Sequence, residues 1–143
     1  MRFPLMLAAL LTLAAAVPGG SARAEEKEKP KVSPRVFEMR TYHAAAGMMP
    51  GLHARFRDHT CKLFKKHGME LVGFWVPTDP KLAEQRLVYI LAFPSREAAD
   101  ASWKAFRDDP DWKSAKSASE KDGVLVDRVE SVFLNATDYS PVK

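Results

Sequence analysis

The chain has 143 residues, with 22 Lys and Arg against 18 Asp and Glu, one cysteine, ten prolines and 46% apolar residues. That is the composition of one compact domain and too short for two of ordinary size. A single cysteine excludes an intramolecular disulfide, a two-cysteine zinc motif and a CxxC redox pair.

The formal charge of +4 shrinks once the first residues are read. Arg2 precedes an apolar run from Phe3 to Val17, followed by Pro18-Gly19-Gly20 and then Ala22-Arg23-Ala24. A positive start, an apolar stretch and small residues at the cleavage positions make residues 1–24 a signal peptide, so export to a periplasmic or extracellular compartment is expected. A membrane anchor would need about 20 apolar residues, and Pro18-Gly19 ends the run early. No cysteine follows the run, which argues against lipid anchoring. Cleavage after Ala24 removes Arg2 and Arg23 and no acid, so 22 basic side chains become 20 against 18 acidic ones. A nearly neutral exported domain is a poor nucleic-acid partner, and no membrane span is expected after cleavage.

Residues 25–34, EEKEKPKVSP, mix both charge signs with two prolines and read as a disordered linker. Val36 to His43 alternates as a strand does, whereas Gly47 to His67 has helical spacing with Leu52, Phe56, Leu63 and His67 on one face. Pro50 suits a first helical turn and Gly68 a C-terminal stop. Leu71 to Val76 is a second strand, and Pro77 to Gln85 a polar loop. Arg86 to Phe93 is the third strand. Ser95 caps a helix to about Arg107 with Ala99, Trp103 and Phe106 inward, and Asp109-Pro110 opens a shorter helix that stops before Gly123. Val124 to Leu134 is the last strand. Residues 35–135 thus form one domain and residues 136–143 a tail.

The order β-α-β-β-α-β predicts an α+β, ferredoxin-like fold, with helices on one face of a four-stranded antiparallel sheet. Strands two and three are apolar on both faces, as though Leu71 and Trp75 opposed Val72, Phe74 and Val76. A solvated sheet face should instead be polar. A homodimer that packs the two sheets together, a dimeric α+β barrel, would cover it. The alternative is that the short helix or the tail folds over this face within one chain.

The succession Phe37-Glu38-Met39-Arg40-Thr41-Tyr42, Lys66-His67-Gly68-Met69, Val72-Gly73-Phe74-Trp75, Ser95-Arg96-Glu97-Ala98 and Asp109-Pro110-Asp111-Trp112 resembles the NIPSNAP family over about Val36 to Leu134. The likeness is greatest to bacterial single-domain members, many of them exported. It implies the dimeric α+β barrel fold. Ala46-Gly47 stands where relatives tend to show Pro-Gly. The family has no shared catalytic mechanism, so the resemblance carries no active-site set.

Candidate residues therefore come from the chain itself. Glu38, Arg40 and Tyr42 alternate onto one face of the first strand. With Phe37, Met39 and Thr41 packed beneath the helices, that trio is expected to point into the barrel towards the partner sheet. There it would bind an anionic or hydroxylated ligand, or form an ion pair that fixes sheet register at the dimer interface. His59, at about 100° per residue, falls close to Leu52 on the buried helix face, as a core histidine with a partner or as a general base or haem ligand beside a cavity. Trp75 and Trp103 are core residues or the lining of an aromatic pocket. Cys61 lies nearly opposite Leu52 and is expected at least partly exposed, with nearby lysines lowering its pKa. Asn135-Ala136-Thr137 matches a glycosylation sequon.

No metal-ligand spacing is present, since His67 lies roughly 12 Å along the helix from His59, and no cofactor is predicted beyond the haem option. The leading functional reading is a homodimeric module that binds a small apolar or anionic ligand or mediates interaction. The alternative is a small monooxygenase-like enzyme with substrate between helix and sheet near His59, Trp75 and Tyr42.

Overall fold

The computed structural model describes residues 35–143. The expected signal peptide and linker, residues 1–24 and 25–34, lie outside the described residues. Strand β1 (Val36–Ala44) leads into α1 (Met49–Arg55), a π-helical turn (Phe56–Thr60) and α2 (Cys61–Lys66). After β2 (Glu70–Trp75), α3 (Pro80–Ala83) and β3 (Arg86–Phe93) come α4 (Arg96–Asp108), α5 (Pro110–Ser119) and β4 (Val126–Asn135). The sheet order is β2-β3-β1-β4, antiparallel throughout, which is the expected ferredoxin-like α+β fold.

Local chemistry sets most boundaries. Pro50 lies in the first turn of α1, where a missing N–H costs nothing, and Gly68 adopts a positive φ of 76° just beyond α2. The Ser95 hydroxyl accepts from Ala98 N at 3.1 Å to cap α4, and the Asp109 carboxylate accepts from Asp111 N at 2.8 Å to cap α5. The same Asp-Pro signal at Asp79-Pro80 opens the short helix α3, within the stretch read from sequence as loop.

The core lies between the helices and one face of the sheet. Phe56 meets Tyr42, Phe74 and Tyr89 with ring centroids 5.4–5.8 Å apart, and Phe64 meets Trp103 and Phe106 at 5.4 and 4.9 Å. Such edge and tilted contacts are favoured by the ring quadrupole. Trp112 packs on Phe106 at 4.5 Å and anchors α5.

Three expectations of facing are corrected. Glu38, Arg40 and Tyr42 pair across β1 and β3 with Leu91, Tyr89 and Leu87, all of them buried beneath the helices. Directly paired residues share a face of the sheet, so the trio points towards the helices, and Phe37, Met39 and Thr41 take the open face. Apolarity alone misassigned them because the open face is apolar too.

In β2 the register shifts between Leu71 and Gly73. This bulge inserts one residue, so Leu71 and Phe74 both face the core and Trp75 faces out, contrary to strict alternation.

The third correction lies in the first helical segment. The π-helical turn adds one residue to a helix turn, so the residue eight after Leu52 occupies the inner position that an unbroken helix would give to the seventh. Thr60 is therefore buried and His59 exposed. The same shift moves Cys61 from the outer side to a half-buried place against the core.

Candidate functional site

Beneath the helices, β1, β3, β4 and α4 assemble a polar cluster. Glu38 is only 2% exposed, and both of its carboxylate oxygens are engaged. Oε1 accepts from Arg40 Nη1 at 2.9 Å and from the Ser131 hydroxyl at 2.6 Å, while Oε2 accepts from the Trp103 indole N–H at 2.5 Å. The Arg40 guanidinium lies 4.2 Å from the Trp103 ring centroid and 5.7 Å from that of Tyr42.

Burial works against the charge on Arg40, but Tyr89, Tyr42 and Glu38 outweigh it, and the pKa is raised. Burial, with the Tyr42 phenol beside it, holds the Tyr89 hydroxyl well above its ordinary value despite the opposing pull of Arg40. At neutral pH Arg40 is therefore a fixed cation and Tyr89 a neutral phenol, beside a Glu38 side chain engaged at both oxygens. Both sequence readings of Glu38 and Arg40 set them on the open face towards a partner sheet; here the pair lies beneath the helices, where Glu38 links β1 to β4 and α4 at once. Trp103 was legible as an inward residue, and Tyr89 as a member of the Leu87-Leu91 face. Ser131 carried no signal, because only the β1–β4 register places it opposite Arg40.

The sequence candidates do not converge. Tyr42 packs in the core, Trp75 is 50% exposed on the open sheet face, and His59 lies on the outer side of the π-helical turn. There His59 borders a groove of about 500 Å³ against α5, with Asp58, Lys62, Asp111 and Ser114. The interior into which a haem would have to fit between helix and sheet is filled by Phe56, Phe64, Phe74 and Tyr89, and His59 does not face it. The residues present do not fit that cofactor. Among the described residues no group of three or more His, Cys, Asp or Glu side chains is placed to hold a metal ion, and no helix is long and apolar enough to cross a membrane. Burial raises the Cys61 pKa against a smaller lowering by Lys65, so this thiol is not activated as its lysine neighbours suggested.

The open face of the sheet is the second feature. Register places Phe37, Met39, Val88, Ile90, Val132 and Leu134 on it together with Trp75, and Val72, unpaired at the bulge, lines a hollow there. Val132 is 45% and Leu134 38% exposed on the edge strand β4, and with Trp75 they leave apolar surface open to water. One end carries a polar group in which His43 Nε2 and Arg128 Nη2 lie 3.0 and 2.9 Å from Glu130 Oε1. The tail borders the opposite corner, where Ala136, Ser140 and Val142 line a hollow of about 350 Å³. Helix α5 packs with α1 and α4 instead of crossing this face.

Solved structures similar to this one include a NIPSNAP family protein of unknown function from Agrobacterium tumefaciens. It is 24% identical, with 77% of this chain and 95% of that one covered at a TM-score of 0.66. A second is an uncharacterized NIPSNAP domain protein from Burkholderia xenovorans, 24% identical over 74% of this chain and 98% of that one, at a TM-score of 0.62. A cofactor-independent oxygenase from Streptomyces nogalater is 13% identical over 76% and 99% of the two chains. Its TM-score of 0.49 is too low to carry an argument about activity. No curated protein matches the sequence. The NIPSNAP family model matches residues 37–141, nearly the whole described domain, and the chain belongs to the NIPSNAP family.

Proposed function

We propose that this domain is an exported, homodimeric ligand-binding module whose two sheets pack face to face. The observation that carries this reading is the open sheet face, where Trp75, Val132 and Leu134 stay exposed in a row of apolar neighbours. Two antiparallel sheets pack about 10 Å apart with interdigitating side chains, and a two-fold axis lets one surface serve both partners. The leader-like residues 1–24 support export. The enzyme reading draws no support from the helix–sheet interior, where aromatic rings fill the space that a substrate would need.

Native mass spectrometry of residues 25–143 tests the proposal, because it reports subunit number and any retained ligand together. The wild-type chain is expected as a dimer. Val132→Glu, which puts a carboxylate opposite Met39 on the β4 side of the face, is expected as a folded monomer with an unchanged far-ultraviolet circular dichroism spectrum. A wild-type monomer at tens of micromolar would overturn the proposal.

A further inference from the structure

The hollow at the tail end of the open face differs from the rest of that face because it has walls. Its floor and sides are Phe37, Val72, Trp75, Ile90, Leu134 and Val142. On one side the indole of Trp75 lies directly over Gly73, where a Cβ would come within 2.5 Å of the ring. Glycine at that position, next to the β2 bulge, is what lets the ring lie against the sheet. On the other side the C-terminal tail is fastened down. Arg35 Nε donates to the Lys143 main-chain oxygen at 2.7 Å, and the same guanidinium pairs with Glu70 at the start of β2. Arg35 thus ties the end of the tail to the sheet edge and holds Val142 in place as a wall.

The lining also defines its occupant. Ser140 supplies the one hydroxyl, and it is already committed, donating to the Val142 carbonyl at 2.7 Å and accepting from the Val142 N–H at 3.3 Å. No lining residue carries a charge. An anion placed there would lose its hydration with no lining side chain to replace it, the nearby Arg35 being already paired with Glu70, whereas an uncharged apolar molecule would lose only unfavourable contact with water. A volume of about 350 Å³ suits a ring system or a medium-length alkyl chain. We infer that each protomer binds one small uncharged apolar molecule in this hollow, with the partner's sheet as the lid. The inference rests on the self-association proposed above and narrows its ligand from apolar or anionic to apolar and neutral.

The probe is N-phenyl-1-naphthylamine, a neutral dye whose emission rises in apolar surroundings, titrated into the mature protein with subunit number measured on the same sample. Saturable binding of one dye per protomer is expected. So are energy transfer from tryptophan that is reduced in Trp75→Phe, and displacement by 1-decanol but not by decanoate. Ile90→Trp, which fills the floor, and Val142→Asp, which charges the tail wall, are each expected to weaken binding at least tenfold while the protein remains dimeric. A dimer that does not bind the dye, as when a partner side chain occupies the hollow, would overturn the inference and leave self-association standing. Unweakened binding in both dimeric variants, or equal displacement by decanoate, would also overturn it. A monomeric wild type would remove the lid and the dimer reading together.

Discussion

Glu38→Ala offers the most direct measure of whether the inner polar cluster is structural. The side chain is 2% exposed and accepts three hydrogen bonds, two of them from the neutral partners Ser131 and Trp103 and one from the Arg40 cation. Each such bond to a charged group contributes about 1.5–3 kcal/mol, though the three are not additive. The larger consequence is that Arg40, itself mostly buried, loses its counter-ion, and breaking a buried pair from one side costs about 3–5 kcal/mol. Urea unfolding at pH 7 and fixed protomer concentration, followed by tryptophan emission, should therefore show the midpoint falling by roughly 2 M for a urea dependence near 1.5–2 kcal/mol per molar. Glu38→Gln should lose less, since the amide oxygen still accepts from one donor, but its NH₂ then confronts a donor in the cluster. Replacing both charges, as Glu38→Met with Arg40→Met, should recover much of the loss, because an apolar pair leaves no charge unmatched. The reasoning would be refuted by a Glu38→Ala loss below about 1 kcal/mol, or by single-variant losses that simply add in the double variant. Either result would free the carboxylate for a ligand.

Two further predictions follow from the helix phase and from the α2–α5 junction. His59→Ala should change stability by no more than about 0.5 kcal/mol because the ring is on the outer surface. Thr60→Ala, which removes a buried hydroxyl donating to the Arg55 carbonyl at 3.2 Å, should lose about 1 kcal/mol. An unbroken α-helix would invert that order in thermal unfolding. Asp109, held by Lys66 at 2.8 Å and His67 at 2.6 Å, has its pKa depressed chiefly by those two hydrogen bonds. A depressed carboxylate pKa stabilises the fold above the unfolded value near 4 and loses that stabilisation as pH falls through the folded value. The melting temperature of the wild type should thus drop more steeply below pH 4 than that of Asp109→Asn, which keeps a capping side chain without the charge. Parallel acid profiles of the two proteins would sink this account.

Two of the corrections share one physical origin. Sequence periodicity assumes an unbroken repeat, and both the π-helical turn at Phe56–Thr60 and the bulge between Leu71 and Gly73 insert one residue. Downstream of the first, His59 and Thr60 exchange inside for outside; downstream of the second, Phe74 joins Leu71. No local composition marks either insertion, because each depends on how the segment meets its neighbours. The orientation of β1 was open for another reason: both of its faces are usable, and only pairing with Leu87, Tyr89 and Leu91 decides between them.

What residues 35–143 determined by themselves was the order and type of the main elements, short of helix α3 and the π-helical turn. Those depend on near neighbours in the chain: alternation in β3, Ser95 and Asp109 as caps, Gly68 as a stop and Pro50 in a first turn. The surplus of apolar residues over both sheet faces was legible in the same way, since it needs only a period of two. Tertiary structure alone decided which face Glu38 joins, that its carboxylate is saturated by Ser131 and Trp103, and that Arg35 pins the tail beside Trp75 to make a hollow. Those contacts join residues from 65 to 108 positions apart, and no local rule of spacing reaches that far.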